Sequence, residues 1–325
     1  MNMKILVTLF LVFTWFIPVT AQYDSDAAEK DRMTKAKVKT QTQWTHEYVD
    51  GKPSDKGYKS SVTKYNMKGN MTEVSSYNAQ GKIILLVVYQ YDNYENRVSF
   101  EQYVGNREKL QYSQKILYDA KGNKTREYGY DGVTVYNNTF QYDGNGKLSE
   151  ISYTADNALV EKRQLKYSGN KTEILVYDQR NNLIFRQENT YNDKGLLLSE
   201  IRTGNKGNVV HTLDMQYNTV GDLTEELKKR ADEQLDYQKL YEYDKDNRPV
   251  KEVTINADGV KFVSEENRYN NLGDLVFRAW KKNERTQESS TKSITYDSMR
   301  LYTEVESYFA TYKLNSLYKY TYEFY

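Results

Sequence analysis

The chain contains no cysteine, only three prolines and only two histidines among its 325 residues. The absence of cysteine excludes disulfides, thiol nucleophiles, thiolate metal sites and the lipidated cysteine of a bacterial lipoprotein. His46 and His211 lie far apart and outside any metal-ligand spacing, so neither a metal site nor a cofactor is predicted.

The chain also lacks an excess of either positive or negative charge. The 46 basic and 45 acidic side chains nearly cancel, so neither nucleic acid nor an anionic membrane is predicted as a partner. The mean hydropathy is −0.87, and aliphatic residues are too sparse for one large globular core. Tyrosine, in contrast, accounts for 32 residues, which is enough to pack repeated strands.

Long apolar runs are limited to one, near the start of the sequence. Lys4 supplies a positive charge, the 13 residues from Ile5 to Ile17 are mostly apolar, and small residues precede Gln22. This order predicts a secretory signal peptide over residues 1–21, cleaved after Ala21. The run is shorter than the roughly 20 residues of a membrane-spanning helix. The mature chain is therefore expected in the periplasm, at the outer surface or outside the cell, without a transmembrane helix.

A tyrosine recurs through the mature chain at intervals of 24–27 residues. The next residue is Asp or Asn in nine of the ten cases, and Gly lies four residues after the tyrosine in six of them. Self-similarity at such a period indicates a repeat architecture. We call these residues the anchor tyrosines: Tyr65, Tyr91, Tyr118, Tyr142, Tyr167, Tyr191, Tyr217, Tyr243, Tyr269 and Tyr296.

A second turn signal lies midway between anchors, as in Tyr77–Gly81. Turns then recur about every 10–14 residues, which leaves strands of about 7–9 residues and no helices of ordinary length. In an anchor turn the Asp side chain is expected to accept hydrogen bonds from backbone amides. The Gly is expected to adopt the positive φ that closes the hairpin. Asn247 takes the place of that Gly in one anchor turn, and Asn157 and Asn181 take the corresponding place in midway turns. The predicted turn glycines are Gly69, Gly122, Gly146, Gly195, Gly221 and Gly273.

Alternation along the predicted strands is impure. In Leu223–Lys229 and Leu275–Lys282 apolar and charged residues occupy both faces, which a sheet buried on either face would not keep. The predicted fold class is all-β: an extended, open antiparallel β-meander of about ten 26-residue double-hairpin repeats. The predicted domains are a charged N-terminal linker over residues 22–45 and a repeat domain over 46–325, with C-terminal cap strands from about 301.

The anchor turn resembles the tyrosine–aspartate (YD) repeats of rearrangement-hotspot proteins and teneurins. The best matches are Tyr118-Asp-Ala-Lys-Gly122-Asn123, Tyr142-Asp-Gly-Asn-Gly146-Lys147 and Tyr217-Asn-Thr-Val-Gly221-Asp222, and the similarity covers roughly residues 58–300. The resemblance implies spiralling β-sheets of the kind that form shells, binding surfaces and toxin casings. The family commonly has Arg after the Gly, where this chain has Asn, Lys or Asp, and no effector-like segment follows the last repeat. The resemblance therefore implies a hairpin architecture and not toxin delivery.

Catalytic motifs are absent from the sequence. It has no His-Glu-x-x-His, no phosphate loop and no Gly-x-Ser-x-Gly. Segments that begin at Asp143 and Asp244 faintly resemble calcium loops, but after Asp143 the closing Glu is replaced by Thr154. The protein is predicted not to be an enzyme. A secreted glycosidase of unusual form remains an alternative, because the carboxylate pair of such an enzyme cannot be picked out among 45 acidic residues.

Aromatic residues supply the candidate ligand-binding positions, because exposed rings stack on sugars and phenol hydroxyls add hydrogen bonds. The anchor tyrosines occupy the same place in every repeat and are expected to pack on neighbouring strands. The predicted binding residues therefore lie outside that register: Trp44, Tyr94, Tyr112, Trp280 and Tyr312. The predicted function is an exported, non-enzymatic binding or structural surface in the bacterial envelope, with glycan or another envelope protein as partner.

The C-terminal run Tyr318–Tyr325 raises a further alternative. Alternating aromatics that end in an aromatic residue resemble the last strand of an outer-membrane β-barrel. The lipid-facing residues of such a barrel should be apolar in every strand, whereas here charges occupy both alternations. The run is therefore predicted to be a cap strand, and the outer-membrane β-barrel remains the alternative function.

Overall fold

The computed structural model describes residues 26–325, so the predicted signal peptide lies outside the described residues. The described chain consists of strands joined by short turns, preceded by one helix. The elements are α1 (Asp26–Lys35), β1 (Val38–His46), β2 (Tyr48–Val49), β3 (Lys52–Pro53), β4 (Tyr58–Tyr65), β5 (Met71–Tyr77), β6 (Ile83–Tyr91), β7 (Arg97–Val104), β8 (Lys109–Tyr118), β9 (Lys124–Tyr130), β10 (Val135–Tyr142), β11 (Leu148–Ala155), β12 (Ala158–Ser168), β13 (Lys171–Asp178), β14 (Leu183–Tyr191), β15 (Leu197–Gly204), β16 (Val209–Tyr217), β17 (Leu223–Arg230), β18 (Leu235–Tyr243), β19 (Pro249–Asn256), β20 (Lys261–Tyr269), β21 (Leu275–Trp280), β22 (Ser290–Tyr296), β23 (Tyr302–Phe309) and β24 (Leu314–Phe324).

The strands form a closed ring. From β4 to β24 each strand pairs antiparallel with the next, and β1 pairs with β24 on one side and with β4 on the other. Within residues 26–325, 22 strands thus close into a barrel, and β2 and β3 form a separate small hairpin. The predicted all-β antiparallel class is confirmed. The predicted open meander is wrong, because no strand of the ring is left with an unpaired edge.

The strand that closes the ring comes from the segment predicted to be a linker. Residues 22–45 contain α1 and most of β1. In β1, Gln43 lies opposite Tyr320 of β24 and Ser61 of β4. No anchor turn flanks β1, so the period of the repeats does not reveal it. The predicted cap strands, β23 and β24, are ordinary members of the ring.

The connections lie at two rims of the barrel. The ten turns that follow the anchor tyrosines lie at one of them, which we call the anchor rim, together with the start of β1 and the end of β24. There the amide of Tyr325 donates to the carbonyl of Lys37 at 3.0 Å. The remaining connections, including residues 47–57 between β1 and β4, form the opposite rim.

The anchor turns are built by their Asp or Asn side chains. Asp143 Oδ1 accepts the amides of Asn145 and Lys147, each at 2.9 Å, and the Gly146 amide donates to the Asp143 carbonyl at 2.9 Å. Gly146 has φ 77°, a conformation that costs residues with a Cβ atom about 1–2 kcal/mol. The six predicted turn glycines all have positive φ, between 72° and 116°.

The anchor tyrosines tie neighbouring hairpins together. In six of the ten, the hydroxyl donates to a backbone carbonyl about 20 residues earlier, on the adjacent strand. The donor and acceptor oxygens lie 2.7–2.9 Å apart in Tyr142–Lys124, Tyr167–Leu148, Tyr217–Leu197, Tyr243–Leu223, Tyr269–Pro249 and Tyr296–Leu275. The tyrosine of the repeat therefore stabilises the sheet in these six periods.

The two faces of the wall differ in burial. In β16, Leu213 and Met215 share a face with the anchor Tyr217 and are buried, whereas Asp214 and Gln216 on the other face are exposed. Side chains converge on the concave side of a curved sheet and diverge on the convex side. We therefore assign the anchor-tyrosine face to the inner wall and the other face to the outer wall.

Contacts across an intervening strand agree with this assignment. The hydroxyl oxygens of Tyr112 on β8 and Tyr136 on β10 lie 3.2 Å apart, although β9 runs between them. Both residues belong to the anchor-tyrosine face by register. Side chains from strands two apart meet in this way on a concave surface and separate on a convex one.

The helix α1 lies against the inner wall at the anchor rim. Met33 is fully buried with Val38, Tyr65 and Leu301. Among the described residues, no helix is long and apolar enough to cross a membrane.

Candidate binding groove on the inner wall

A groove of about 740 Å³ follows β7 and β8 on the inner wall. Phe100 and Gln102 of β7 and Tyr112 and Gln114 of β8 form its middle. Its remaining lining residues are Arg97 towards the anchor rim and, towards the opposite rim, Lys109, Leu110, Gln111, Tyr130, Asp131 and Gly132. Its size lies within the range of about 300–1,000 Å³ that is usual for ligand pockets.

The floor of the groove is a two-by-two arrangement of aromatic and amide side chains. The register places Phe100 opposite Gln114, and Gln102 opposite Tyr112. Each strand contributes an aromatic residue and a glutamine two positions later, so all four side chains point to the same face. A ring therefore alternates with an amide in both directions across the floor.

The rings belong to a longer aromatic row. Phe100 makes edge-to-face contacts with Tyr89 at 5.3 Å and with Tyr112 at 5.4 Å between ring centroids. Tyr112 lies 6.3 Å from Tyr136. Contacts at these separations hold aromatic side chains in place, so the two rings in the groove are fixed before any ligand arrives.

A glycine on β9 makes room for the two tyrosines. Gly129 lies opposite Gln114 on one side and Tyr136 on the other. A Cβ atom at this position would lie 1.9 Å from the Ser113 carbonyl oxygen. The strand therefore passes beneath the pair formed by Tyr112 and Tyr136 without a side chain between them. Burial raises the pKa of Tyr136, and the hydrogen bond with Tyr112 adds to this, so its phenol stays neutral.

The amides are positioned by hydrogen bonds that leave part of each group available. Gln102 Nε2 donates to Gln111 Oε1 at 3.1 Å, and Arg97 Nη2 donates to Gln114 Oε1 at 3.1 Å. A glutamine has both an acceptor oxygen and a donor nitrogen. Gln102 Oε1, Gln111 Nε2 and Gln114 Nε2 are the atoms not used in these two bonds.

Asp131 is held by its own turn at the opposite rim. Its Oδ1 accepts the amides of Val133 at 2.9 Å and Thr134 at 2.7 Å. Partial burial disfavours its ionised form, but these hydrogen bonds outweigh that effect and lower the pKa of the carboxyl below its usual range.

Of the five predicted binding residues, Tyr112 alone lines this groove. Trp44 lies on the outer wall, where its Nε1 donates to Thr321 Oγ1 at 3.2 Å. Tyr94 is 87% exposed at the anchor rim and Tyr312 is 78% exposed at the opposite rim. Trp280, on the inner wall of β21, contacts Phe309 at 6.4 Å. The structure does not bring the five residues together.

The other residues of the groove were not predicted. The available signal was the pattern aromatic-x-Gln, which occurs as Phe100-Glu-Gln102 and again as Tyr112-Ser-Gln114. Only the strand register shows that the two copies lie side by side. No group of three or more His, Asp or Glu side chains suited to a metal ion occurs in residues 26–325.

No protein-family model and no curated protein matches the chain. Among solved structures, it is 10% identical to a porin-like protein from Bacteroides uniformis, with a TM-score of 0.34 over 88% of this chain and 98% of that one. A porin-like protein from Bacteroides vulgatus gives 11% identity and a TM-score of 0.22 over the same shares of the two chains, 88% and 98%. The structure of TcdB2-TccC3-Cdc42 gives 13% identity and a TM-score of 0.28 over 79% of this chain, which spans only 16% of that longer chain. These TM-scores are too low to assign a family.

Proposed function

We propose that this chain is an exported β-barrel of the bacterial envelope that remains in water and binds glycan on its inner wall. The observation that carries the proposal is the floor of the groove, where Phe100, Gln102, Tyr112 and Gln114 alternate ring and amide. Because the 22 strands close on themselves, the wall that carries this groove is held on both sides by neighbouring strands.

Glycan fits the chemistry of the floor. A pyranose has an apolar face that stacks on an aromatic ring and a rim of hydroxyls that pair with amide donors and acceptors. Phe100 and Tyr112 supply the rings, and Gln102 and Gln114 supply amides at the same level of the wall. Mostly preformed pockets with a few placed polar groups are the usual form of small-ligand sites.

Charge on the outer wall favours a barrel in water. Arg186 and Glu188 lie in the middle of β14, on the face opposite the anchor Tyr191. Glu266 and Arg268 occupy the same face of β20. An Arg or Lys on the lipid face of a membrane barrel costs about 2–4 kcal/mol at the bilayer midplane.

An outer-membrane β-barrel is the second candidate, and closure of the ring favours it over an open binding surface. A β-sheet can span a bilayer only when its last strand pairs with its first, as β1 does with β24.

Fractionation of cells distinguishes a barrel in water from a barrel in the outer membrane. We expect the full chain, expressed in a Gram-negative host, to appear without detergent in the periplasm or medium and to begin at Gln22. Recovery only in detergent extracts of the outer membrane would favour the second candidate.

Binding is tested with purified chain Gln22–Tyr325 and tetrasaccharides of neutral and of acidic sugars, measured by calorimetry. We expect saturable binding of at least one of them. The double substitution Phe100→Ala/Tyr112→Ala should abolish binding, while Tyr94→Ala/Tyr312→Ala, which removes two exposed aromatics outside the groove, should not. Equal binding by both variants would contradict the proposed site. Release of reducing sugar from the same tetrasaccharides would instead support the glycosidase alternative.

A further inference from the structure

Two cations in the groove have no acidic partner. Arg97 donates to an amide oxygen, that of Gln114, and lies 5.9 Å from the Phe100 ring centroid. Among the described residues, no carboxylate lies within 4.0 Å of the Arg97 guanidinium or of Lys109 Nζ. Both side chains are exposed to the groove rather than shielded by neighbouring groups.

Several other cations on the inner wall form ion pairs. Lys124 Nζ lies 2.7 Å from Glu127, and Arg163 Nε lies 2.6 Å from Glu161. The same holds farther around the ring for Lys239–Glu252 at 3.2 Å and Arg278–Glu265 at 2.6 Å. The groove is therefore lined by two cations without an ion pair and by one carboxylate, that of Asp131, which leaves an excess of positive charge.

Three acids beside the groove are engaged in other contacts. Asp131 accepts two amides of its own turn. Asp92, in the anchor turn before β7, accepts the amides of Tyr94 and Asn96 at 2.8 and 2.9 Å. Glu108 lies 3.7 Å from Lys82. None of the three forms an ion pair with Arg97 or Lys109.

We infer that the groove selects an anionic glycan, a chain of sugars that carries carboxylate or sulfate groups. This inference rests on the proposed function and specifies its ligand class. The rings and amides of the floor would hold the sugar units, and Arg97 and Lys109 would each meet an anionic group. Arg97 reaches into the groove from the anchor-rim side and Lys109 from the opposite rim, so a ligand that met both would lie along the strands. A guanidinium suits this task because it presents paired donors to a carboxylate or sulfate.

The test compares tetragalacturonate with its fully methyl-esterified form, which has the same backbone without the charges. A chondroitin sulfate tetrasaccharide serves as the sulfate-bearing probe. We expect at least tenfold tighter binding of one of the charged probes than of the methyl ester at low ionic strength. That preference should shrink as salt rises, because the contacts are exposed to solvent. Arg97→Gln/Lys109→Gln should remove the preference, so that the charged probes and the methyl ester bind this variant with equal affinity.

A matched control removes the same charge elsewhere. Lys115→Gln/Lys206→Gln takes one cation from the outer wall of β8 and one from an exposed turn, and should keep the preference. Melting curves test whether each variant is folded, and Arg97→Lys, which keeps the charge, gives a second readout if the glutamine variant is unstable. Equal affinity for charged and esterified probes would overturn this inference and leave glycan binding standing. Failure of every probe to bind would instead overturn the proposed function.

Discussion

The fifth residue of the anchor turn, counted from the tyrosine, shows how one backbone position serves several purposes. Gly146 occupies it with φ 77°, Asn247 with φ 57°, Glu95 with φ 68° and Arg300 with φ 64°. Where the residue is charged, its side chain pairs with a distant partner: Glu95 with Lys30 and Arg300 with Asp274. In these two turns an ion pair at the rim offsets the strain of a residue with a Cβ atom.

Two glycines at this position should respond differently to the same substitution. Gly69 and Gly146 have φ 72° and 77°. A Cβ atom at Gly146 would meet nothing within 4 Å, whereas one at Gly69 would lie 2.4 Å from the Lys30 carbonyl oxygen of α1. We expect Gly146→Ala to cost about 1–2 kcal/mol of unfolding free energy. Gly69→Ala should cost more, because the helix must also shift.

Urea unfolding of both variants measures this difference. The control is the same pair of substitutions in a chain that begins at Lys37 and so lacks α1, where the two costs should become equal. A larger cost at Gly146 than at Gly69 in the full mature chain would contradict the position assigned to the helix.

The hydroxyl of an anchor tyrosine should contribute to stability by itself. Tyr243 donates to the Leu223 carbonyl at 2.7 Å, and burial raises the pKa of Tyr243 to about 12. Tyr243→Phe should lower the unfolding free energy by about 0.5–1.5 kcal/mol. Tyr94→Phe, at an 87% exposed ring, should change it little.

The same tyrosine gives a pH dependence with a defined sign. Because the pKa of Tyr243 is higher in the folded chain than the usual 10.0, its contribution is complete below pH 10 and is lost as pH rises towards 12. Unfolding free energies measured between pH 9 and 12 should therefore fall less steeply in Tyr243→Phe than in the parent chain. Identical slopes would contradict the buried environment of this phenol.

At the scale of elements, the sequence predicted strands and turns better than it predicted the groove. Tyrosine spacing and turn chemistry predict hairpins because both are local, and β16 and β17 meet at Tyr217–Gly221 as expected. The pairing of Phe100 with Gln114 depends on register across a turn without the anchor motif. Whether Tyr112 faces inward depends on the curvature of the whole wall. Neither property is encoded in one repeat.

The helix α1 is attached to the rim by buried Met33 and by polar contacts, and the polar contacts should release with acid. Glu95 Oε2 accepts a hydrogen bond from Lys30 Nζ at 2.6 Å, and Glu95 Oε1 lies 3.2 Å from Lys68 Nζ. These hydrogen bonds lower the pKa of Glu95 from 4.5 to about 2. Since the folded pKa is depressed, the contribution is complete above about pH 4.5 and is lost as pH falls towards 2.

A single label reports this release, because the chain has no cysteine of its own. Ala27→Cys, at an exposed position of α1, would carry a fluorophore whose anisotropy falls between pH 4.5 and 2 as the helix detaches. Glu95→Gln should reduce the size of this step. A pH step that persisted unchanged in Glu95→Gln would show that another group holds the helix.

At the scale of the molecule, closure is the property that the repeats could not predict. An array of hairpins with a period of about 26 residues can stay open, spiral or close, since each repeat contacts only its neighbours. The outcome depends on β1, which belongs to no repeat and pairs with both β24 and β4. Its residues, among them Thr40, Gln43 and Trp44, give no sign in sequence that two strands will bind it.

Closure leads to opposite expectations for two deletions. Removing residues 217–242 takes out one repeat and joins Gln216 to Tyr243, so that 20 of the 22 strands remain and the β1–β24 seam is kept. We expect a folded, monomeric, narrower barrel, because barrel diameter scales with strand number.

Removing Leu314–Tyr325 takes out β24 alone and leaves β23 and β1 with unpaired edges. Exposed edges pair with other chains, so this shorter deletion should aggregate. Circular dichroism and size-exclusion chromatography in detergent-free buffer measure both. If the loss of 12 residues at the seam were tolerated and the loss of 26 within the wall were not, the ring would not be what holds the fold together.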